Sequence, residues 1–419
     1  MKNLNNKIKL LIKKGVRIPN PESVEIGDEV DIEKISGDGV SVYSGCKIFG
    51  SSTLILQGSN LGYDGPVTIE NCQLGPEVKL KGGFFKQSVF LSKVSMGIGS
   101  HIRDGTILEE QASVAHTVGL KQTILFPYVT LGSLINFCDC FMAGGTDRKN
   151  HSEVGSSYIH FNYTPNQDKA TSSLIGDVPN GVMLNQNPIF LGGQGGLIGP
   201  CRLTYGTIIA AGTINRKDVL NPGRLIFGGA GKGGSVPFTP GVYHSEKRIV
   251  INNIIYIANL MALMQWYNHV RSMFISQDFP QPLLDGLNEK LNLTIEERIK
   301  RLGELCLKLP DQDIAKETSE RLIRQKNELR ERWPEMEEAF KTHKNKEGYL
   351  SIRDLFLETI NRGINKSGRD YIPVIKGLSV KNANQGAQWL QEVVNDITAQ
   401  VIEIIPSFGK GTNFLTNTR

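Results

Sequence analysis

The chain has 419 residues, of which 39% are hydrophobic and 21% charged, and its formal net charge is +5. It is long and apolar enough to bury a large core, which excludes wholesale disorder. So small an excess of basic residues, spread along the chain, is not the clustered basic face of a nucleic-acid-binding protein.

The cysteines and the apolar segments predict a cytoplasmic location. The six cysteines show no paired spacing of a disulfide scaffold, and Cys138 and Cys140 lack the second pair that a zinc site needs. Lysines interrupt the apolar stretch at the N-terminus, so no signal peptide is expected. The longest apolar stretch, residues 249–264, contains three asparagines and is too short to span a bilayer. We expect a cytoplasmic protein with no membrane span, no nucleic-acid partner and no metal.

Residues 18–220 are predicted to form a left-handed parallel β-helix of hexapeptide repeats. Large apolar residues recur at every sixth position from Val78 to Phe126, a period that neither a strand nor an α-helix produces. A β-helix with three short faces per coil does, because one residue of each face points into its narrow interior. The alternative is a β-sandwich with coincidental spacing. We expect about ten coils of about eighteen residues each. The predicted inward residues are Val78, Phe84, Phe90, Met96, Ile102, Leu108, Val114, Leu120 and Phe126.

The composition changes after the β-helix. Most glycines lie before residue 246, whereas charged residues become denser after it. Residues 221–245 are predicted to be a glycine-rich linker, and residues 246–419 an α-helical domain. We expect proline breaks at Pro310, Pro334 and Pro373. The individual helices are expected over residues 249–274, 295–307, 314–333, 352–361 and 387–404.

Two stretches of the predicted β-helix resemble a known family. The first is HIRDGTILEEQASVAHTVGLKQTIL at residues 101–125. The second, residues 154–182, contains an Asn-Tyr pair and a lysine ahead of LIGD, and is followed by AAGTINRKDV at residues 210–219. Together they resemble the C-terminal acetyltransferase half of the bacterial bifunctional UDP-N-acetylglucosamine pyrophosphorylase and glucosamine-1-phosphate N-acetyltransferase. The resemblance covers about half of the chain and implies the same β-helix fold.

The resemblance also implies roles for five residues. Arg103, Lys121 and Lys169 would bind the sugar or its phosphate, and Asn162 and Tyr163 would contact the acetyl-coenzyme A donor. Arg103 and Lys121 are eighteen residues apart, one full coil, so we expect them to stack on one face. A guanidinium and an ammonium so placed suit a phosphate group. The alternative is that both are ordinary solvated residues of an outer face.

The chain departs from that family at the catalytic base. The family uses a histidine to take the proton from the attacking amine, and its expected position here falls near Ser133. No histidine lies between His116 and His151, and His151 belongs to an inserted hexad that the family lacks. We therefore predict His151 as the base, with His116 as second candidate. The alternative is that His151 is an ordinary exposed histidine.

Two functions remain open from the sequence. The first is a hexapeptide-repeat acyltransferase that acts on an amino-sugar phosphate or a nucleotide sugar, with acetyl-coenzyme A as donor. The second is a sugar-nucleotide-binding or scaffold protein that has lost the base. The family's N-terminal nucleotidyltransferase domain is not expected, so pyrophosphorylase activity is not expected either. In both cases the resemblance implies a homotrimer, which would cover apolar residues on the outer faces.

Overall fold

A computed structural model of the chain describes residues 5–228, 246–308, 320–344 and 346–409. The first half is a parallel β-helix in which successive coils contribute short strands to three faces. Helices follow it, so the predicted fold class is confirmed. The left-handed sense of the winding and the domain boundaries stay predictions, although the last described strand, Leu225–Ile226, lies in the segment predicted as linker.

The strands of each face follow one another in parallel register. Face 1 contains Glu25–Ile26, Lys47–Phe49, Val67–Glu70, Gly83–Lys86, Ser100–Arg103, Gly119–Lys121, Asn136–Cys138, Ile159–Phe161, Gly196–Ile198 and Ile214–Asn215. Face 2 contains Leu54–Ile55, Gln73–Leu74, Ser88–Phe90, Thr106–Leu108, Ile124–Leu125, Cys140–Met142, Ser173–Ile175 and Arg202–Leu203. Face 3 contains Ser41–Val42, Asn60–Leu61, Lys79–Leu80, Ser95–Met96, Ser113–Val114, Thr130–Leu131, Glu153–Val154, Phe190–Leu191, Ile208–Ile209 and Leu225–Ile226.

The chain passes from face 1 to face 2 to face 3 and back to face 1. We call the turns between them the 1/2 corner, the 2/3 corner and the 3/1 corner. At the 2/3 corner, the strands Gly145–Asp147 and Asn150–His151 form a short antiparallel hairpin outside the three faces. The hairpin contains the predicted inserted hexad.

The hexad period identifies the interior correctly over its regular part. Six of the predicted residues occupy inward strand positions and are buried: Phe90, Met96, Ile102, Leu108, Val114 and Leu120. Val78 and Phe126 are also buried, but each is outside the strand register, in which Leu80 and Leu125 are the inward residues.

The prediction for Phe84 is wrong. Phe85, not Phe84, pairs with the inward Ile102, while Phe84 pairs with His101 on the outer side. There the two rings stack with their centroids 5.2 Å apart. The physical reason is that the spacing between inward residues shortens to five just before the regular run, so a strict step of six selects the neighbouring residue.

Short helices belong to the first half. Helix α1 (Asn6–Lys14) covers the first coils with Ile8 and Leu11, and Lys7 Nζ donates to three carbonyl oxygens there. Single 3-10 turns span Pro21–Ser23 and Ile32–Lys34. Helix α2 (Val178–Gly181) follows face 2 and begins with the side chain of Asp177 accepting from the Asn180 N–H.

The second half is helical, as predicted. Helix α3 (Glu246–Gln265) continues into a π-helical turn, Trp266–Val270, and a 3-10 turn, Arg271–Phe274. The remaining described helices are α4 (Gln281–Lys308), α5 (Glu320–His343), α6 (Leu350–Ser367), α7 (Tyr371–Lys376), α8 (Val380–Ile404) and α9 (Pro406–Gly409).

Two of the three predicted proline breaks are wrong. Pro334 lies inside α5, and Pro373 lies in the first turn of α7, where its missing N–H is tolerated. Pro310 and residues 314–319 of a predicted helix lie outside the described residues. Helix α5 continues past Pro334 because its apolar side remains in the core on both sides of the proline. That side consists of Leu329, Trp333, Met336 and Phe340.

The helices pack on face 2. Helix α4 contacts the strands Gln73–Leu74, Ser88–Phe90 and Thr106–Leu108, and α3 contacts Ser173–Ile175. All residues of these strands are buried, whereas strands of faces 1 and 3 mostly alternate between exposed or half-buried and buried positions. Face 2 is therefore covered by the chain's own helices, whereas faces 1 and 3 keep exposed or half-buried outward positions among the residues that the structure describes.

One helical stretch among the described residues, Glu246–Phe274, is long and apolar enough to cross a membrane by length and composition alone. Its most apolar window is 94% buried within the protein. It serves as the central core helix of the second half, packed against α4 and α8.

Candidate functional site

Arg103 and Lys121 lie in register on neighbouring coils, as their spacing predicts. Arg103 pairs with Lys121 on face 1, and Lys121 pairs with Cys138 on the next coil. Ile102 and Leu120 point inward, so the two basic side chains point outward at the end of their strands. The result is a column of two cations at the 1/2 corner, with Arg103 exposed and Lys121 half-buried.

Cys138 completes the column without being a nucleophile. Its Sγ is 4.0 Å from Nη2 of Arg103. Burial and the neighbouring Asp139 raise the pKa of the Cys138 thiol, against the opposing effect of Arg103 and other cations. Because the thiolate is the reactive form, a thiol with a raised pKa is a poor nucleophile near neutral pH.

The helical half delivers a third cation to this corner. Arg298 of α4 donates from Nη2 to Asp139 Oδ1 at 2.9 Å and to Gln122 Oε1 at 2.8 Å. Asp139 and Gln122 turn the corner with positive φ, which places their side chains beneath α4. Burial raises the pKa of the Asp139 carboxyl, while Arg298, Lys121 and a hydrogen bond with the Asn162 side chain lower it.

A long loop, residues 162–172, closes the corner on the next coil and carries the other predicted site residues. Asn162 is half-buried and bonds to Asp139. Tyr163 is 56% exposed, and the Lys169 side chain is half-buried. The structure therefore brings Arg103, Lys121, Asn162, Tyr163 and Lys169 to one corner of the β-helix.

Helices α3 and α4 hold this loop by its backbone. Arg298 Nη1 donates to the Lys169 carbonyl at 3.3 Å, and Lys308 Nζ donates to the Gln167 carbonyl at 3.3 Å. Asn253 of α3 donates to the Ala170 carbonyl at 2.9 Å and accepts from Ser172 Oγ at 3.1 Å. The conformation of the candidate site thus depends on the helical half.

Arg298 is not among the predicted site residues, although the sequence of α4 carries a signal for it. Residues at a spacing of four along α4 face the β-helix, so they form one stripe of the helix. A Cβ at Gly286 would lie 2.6 Å from Gln73, Lys290 is fully buried, and Thr294 donates to the Gly105 carbonyl at 3.1 Å. Small and basic residues where an apolar stripe is expected indicate docking on a polar surface.

His116 lies at the 3/1 corner, beside the expected position of the family base. The Leu134 N–H donates to the His116 carbonyl at 3.1 Å, which places His116 one coil below Ser133. Face 1 separates this corner from Lys121 by about five extended residues, or about 16 Å. A single chain does not bring His116 to the column of cations.

His151 lies at the 2/3 corner, in the antiparallel hairpin. Its Nε2 is 3.8 Å from Glu153 Oε2, and its side chain is 18% exposed. Arg148 fixes the hairpin by donating to the carbonyl oxygens of Gln111 and Tyr128. Face 2 and the helices that cover it lie between His151 and the 1/2 corner of the same chain.

His160 lies near the site but is a core residue. It points inward from face 1, and its Nε2 is 2.9 Å from Ser173 Oγ. Burial lowers the pKa of the His160 imidazole to about 4. The ring is therefore neutral near pH 7 and enclosed away from the outward Arg103 and Lys121 side chains.

The arrangement suits an anionic ligand better than a metal. Arg103 and Lys121 provide fixed positive charge on an accessible face, and charge-assisted hydrogen bonds to phosphate oxygens are among the stronger polar contacts. Within the described ranges, no group of three or more His, Cys, Asp or Glu side chains is placed to hold a metal ion.

The comparisons with known proteins point to one set of relatives. Bifunctional protein GlmU of Thermotoga maritima is 27% identical over 214 residues, which are 51% of this chain and 42% of that protein. Bifunctional protein GlmU of Pelobacter propionicus is 25% identical over 210 residues, 50% of this chain and 40% of that protein. Half of the chain resembles GlmU proteins. The chain spans less than half the length of these curated relatives.

The other comparisons add little. No protein-family model matches the chain. The solved structure of the polysialic acid O-acetyltransferase OatWY covers 55% of this chain and 89% of its own, at 13% identity and a TM-score of 0.16. A superposition that poor supports no conclusion about this chain.

Proposed function

We propose that the chain is a hexapeptide-repeat acyltransferase whose acceptor is an amino-sugar phosphate or a nucleotide sugar. The observation that carries the proposal is the in-register column of Arg103 and Lys121 on an open face. The loop with Asn162 and Lys169 lies at the same corner, and the GlmU relatives match over half of the chain. The pyrophosphorylase activity of the resembled family is not part of the proposal.

The proposed acyl donor is acetyl-coenzyme A, a second substrate that needs no metal. Its pantetheine arm offers amide groups, and Asn162 and Tyr163 offer neutral partners for them on an accessible loop. Lys169 lies on the same loop and is proposed to bind the sugar or its phosphate. The chain's own residues would thus hold the acceptor on the β-helix face and the donor against the loop.

The proposed base comes from a neighbouring copy in a homotrimer. In one chain, His116 and His151 lie at the two corners that do not contain Lys121. If a neighbour presents its 3/1 corner or its 2/3 corner to the 1/2 corner, one of these histidines reaches the acceptor amine. His151 is the proposed base and His116 the second candidate.

Exposed apolar residues on faces 1 and 3 support self-association. Phe190, Ile208 and Leu225 form an in-register column on face 3. Ile159 and Ile214 are exposed on face 1 of nearby coils. Such patches mark interaction surfaces, and three-fold closure would bury them. A sedimentation mass near three times 46.2 kDa supports the trimer, and a mass near a single chain contradicts it.

All six cysteines are free and buried, which supports a reducing compartment such as the cytoplasm. Buried thiols whose pKa is raised by burial, such as Cys72 at about 12, are chemically inert.

A second candidate function is binding of a sugar nucleotide without chemistry. It is favoured by the separation of both histidines from Lys121 within one chain and by the commitment of Asp139 to Arg298. Under this alternative the column of cations still binds the ligand, but no group takes a proton from an amine.

The deciding experiment is an assay of acetyl transfer to glucosamine-1-phosphate, in which the released coenzyme A thiol is measured. Transfer is expected with the intact chain, and His151→Ala is expected to lower turnover by roughly 100-fold or more, the scale of a lost general base. His116→Ala tests the second candidate, and His343→Ala, on α5, is the matched control. Binding of UDP-N-acetylglucosamine with no acetyl transfer to glucosamine-1-phosphate favours the second candidate function.

A further inference from the structure

A second column of outward residues lies on face 1 beside the two cations. It consists, from one coil to the next, of Phe84, His101, Gly119 and Asn136, which pair in register along the parallel sheet. Two of its members lie two residues before Arg103 and Lys121 on the same strands. Two extended residues cover about 7 Å, so the two columns are neighbours on one accessible face.

Two members of this second column form an aromatic stack that has one uncovered face. The rings of Phe84 and His101 are inclined by only 24°, with their centroids 5.2 Å apart. Phe84 covers one face of the imidazole, whereas the next coil places Gly119, which has no side chain, beside the other face. His101 is exposed to solvent. The stack therefore ends at an accessible ring face on the side of Gly119.

The described part of the fold does not require glycine at position 119. Its φ is not in the left-handed region, and a Cβ there would meet only the Asn136 side chain, 3.4 Å from its Oδ1. Glycine weakens a strand and often marks a place where a ligand approaches the backbone closely. We call the space between His101 and Asn136 the Gly119 gap. Strands lie about 4.8 Å apart, so the gap has the height of one missing ring.

The neighbours of the Gly119 gap suit a base that is joined to a phosphate. An aromatic ring offers a stacking surface to any nucleobase, and the exposed Asn136 amide offers a donor and an acceptor to the edge of the base. Arg103 and Lys121 begin about 7 Å away along the strands, a distance that one ribose bridges. Their charges suit the phosphate oxygens of the same ligand.

We propose that the Gly119 gap binds the base of a nucleotide whose phosphates contact Arg103 and Lys121. The base stacks on the uncovered face of His101, and the Asn136 amide bonds to its edge. Of the two acceptor classes in the proposed function, this selects the nucleotide sugar. The inference rests on the proposed function for the phosphate contacts, and it does not depend on acetyl transfer or on the catalytic base.

Calorimetric titration of the full chain with UMP, AMP and ribose 5-phosphate tests the proposal, because these ligands share a ribose phosphate and differ in the base. At least one nucleotide is expected to bind about tenfold or more tightly than ribose 5-phosphate, the scale of one base stacked on an aromatic ring. Gly119→Val fills the gap and His101→Ala removes the stacking face, so each should abolish this preference. His101→Phe should keep it. Thr68→Val, three coils away on the same column, is the matched control.

The outcomes separate this proposal from the function on which it rests. If ribose 5-phosphate binds and neither nucleotide exceeds it, the base site is overturned while the column of cations remains a phosphate site. The base site is also overturned if Gly119→Val or His101→Ala keeps the preference for the nucleotide. If none of the three ligands binds up to about 1 mM, the phosphate contacts of the proposed function are contradicted as well. A thermal melt establishes that each variant is folded, and the two His101 variants decide if Gly119→Val is not.

Discussion

Replacing Arg298 tests whether the helical half holds the candidate site together. Arg298→Met keeps an unbranched side chain of about the length of the aliphatic part of arginine and removes the charge and all of its hydrogen bonds. The bonds lost are those to Asp139 at 2.9 Å, to Gln122 at 2.8 Å and to the Lys169 carbonyl at 3.3 Å. The Asp139 side chain is 4% exposed and would keep its buried charge without its main partner.

The expected loss of unfolding free energy is about 3 to 5 kcal/mol, the scale measured when one member of a buried ion pair is removed. Most of this loss is the cost of leaving Asp139 charged and unpaired. Asp139→Asn in the same chain removes that charge, so the double variant should lose at least about 1.5 kcal/mol less than the sum of the single losses. The affinity for a sugar phosphate should fall as well, because Arg298 holds the loop that carries Lys169.

Urea unfolding of the four proteins of this cycle, with titration of glucosamine-1-phosphate, measures both effects. Arg301→Met, one turn along α4 and half-buried, is the matched control, because its ion pairs with Glu297 and Glu304 lie within its own helix. A loss below about 1 kcal/mol for Arg298→Met, or additive losses in the cycle, would refute the reasoning.

Three further predictions concern groups outside the column of cations. Burial and Glu110 raise the pKa of Glu109 to about 7. Between about pH 4.5 and pH 7 the folded state therefore holds a proton that the unfolded state has already lost. The free energy of unfolding should fall by about 3 kcal/mol as the pH rises through this range. Glu109→Gln should abolish that loss in chemical unfolding at pH 5 and pH 8; an unchanged pH dependence contradicts it. Burial lowers the pKa of His160 to about 4, so its contribution to stability is complete above about pH 6.5 and is lost as pH falls toward 4. Its ring should remain neutral at pH 5.5 in an NMR titration, and a midpoint near 6.5 is the contrary result. Finally, Gly303→Ala should lower stability by about 1 to 3 kcal/mol in urea unfolding despite the better helix propensity of alanine, because its Cβ would lie 2.5 Å from the Trp333 ring; a stabilised variant would contradict the packing of α4 on α5.

The interior of the β-helix was predictable because it follows from a local spacing. The step of six holds where every strand and corner has the same length, from Phe90 to Leu120. It fails at Phe84, where the intervals from Leu80 to Phe85 and from Phe85 to Phe90 are both five. The stacking of Arg103 on Lys121 follows from the same period, since both lie inside the regular run.

The covering of face 2 was only partly predictable from the sequence. Its central strands carry two consecutive apolar residues, as in Ile107-Leu108 and Ile124-Leu125, which is typical of strands buried on both sides. The last strands of face 3, such as Ile208-Ile209, carry the same pattern with the first residue exposed, so doubled apolar residues alone do not distinguish the face on which the helices pack.

The partners of the candidate site were not predictable from spacing. Arg298 reaches Asp139 only because α4 crosses face 2, and nothing local in the sequence sets that contact. The histidines lie at separate corners for a similar reason, since the hairpin with His151 leaves the coil at the 2/3 corner. The proposed catalytic base therefore depends on the proposed assembly of copies of the chain.

The most direct test of the central claim is calorimetric titration of the chain with glucosamine-1-phosphate, compared with its Arg103→Ala and Lys121→Ala variants. Each loss should weaken binding about tenfold to a hundredfold, the range of one charge-assisted contact, and should lower stability by less than about 1 kcal/mol. Lys47→Ala is the control. Lys47 also points outward from face 1, but its ion pair with Glu25 lies several coils away from Arg103 and Lys121. Unchanged affinity in Arg103→Ala and Lys121→Ala, with a sharply lower melting temperature, would show that both residues are structural and contradict the assignment of the site.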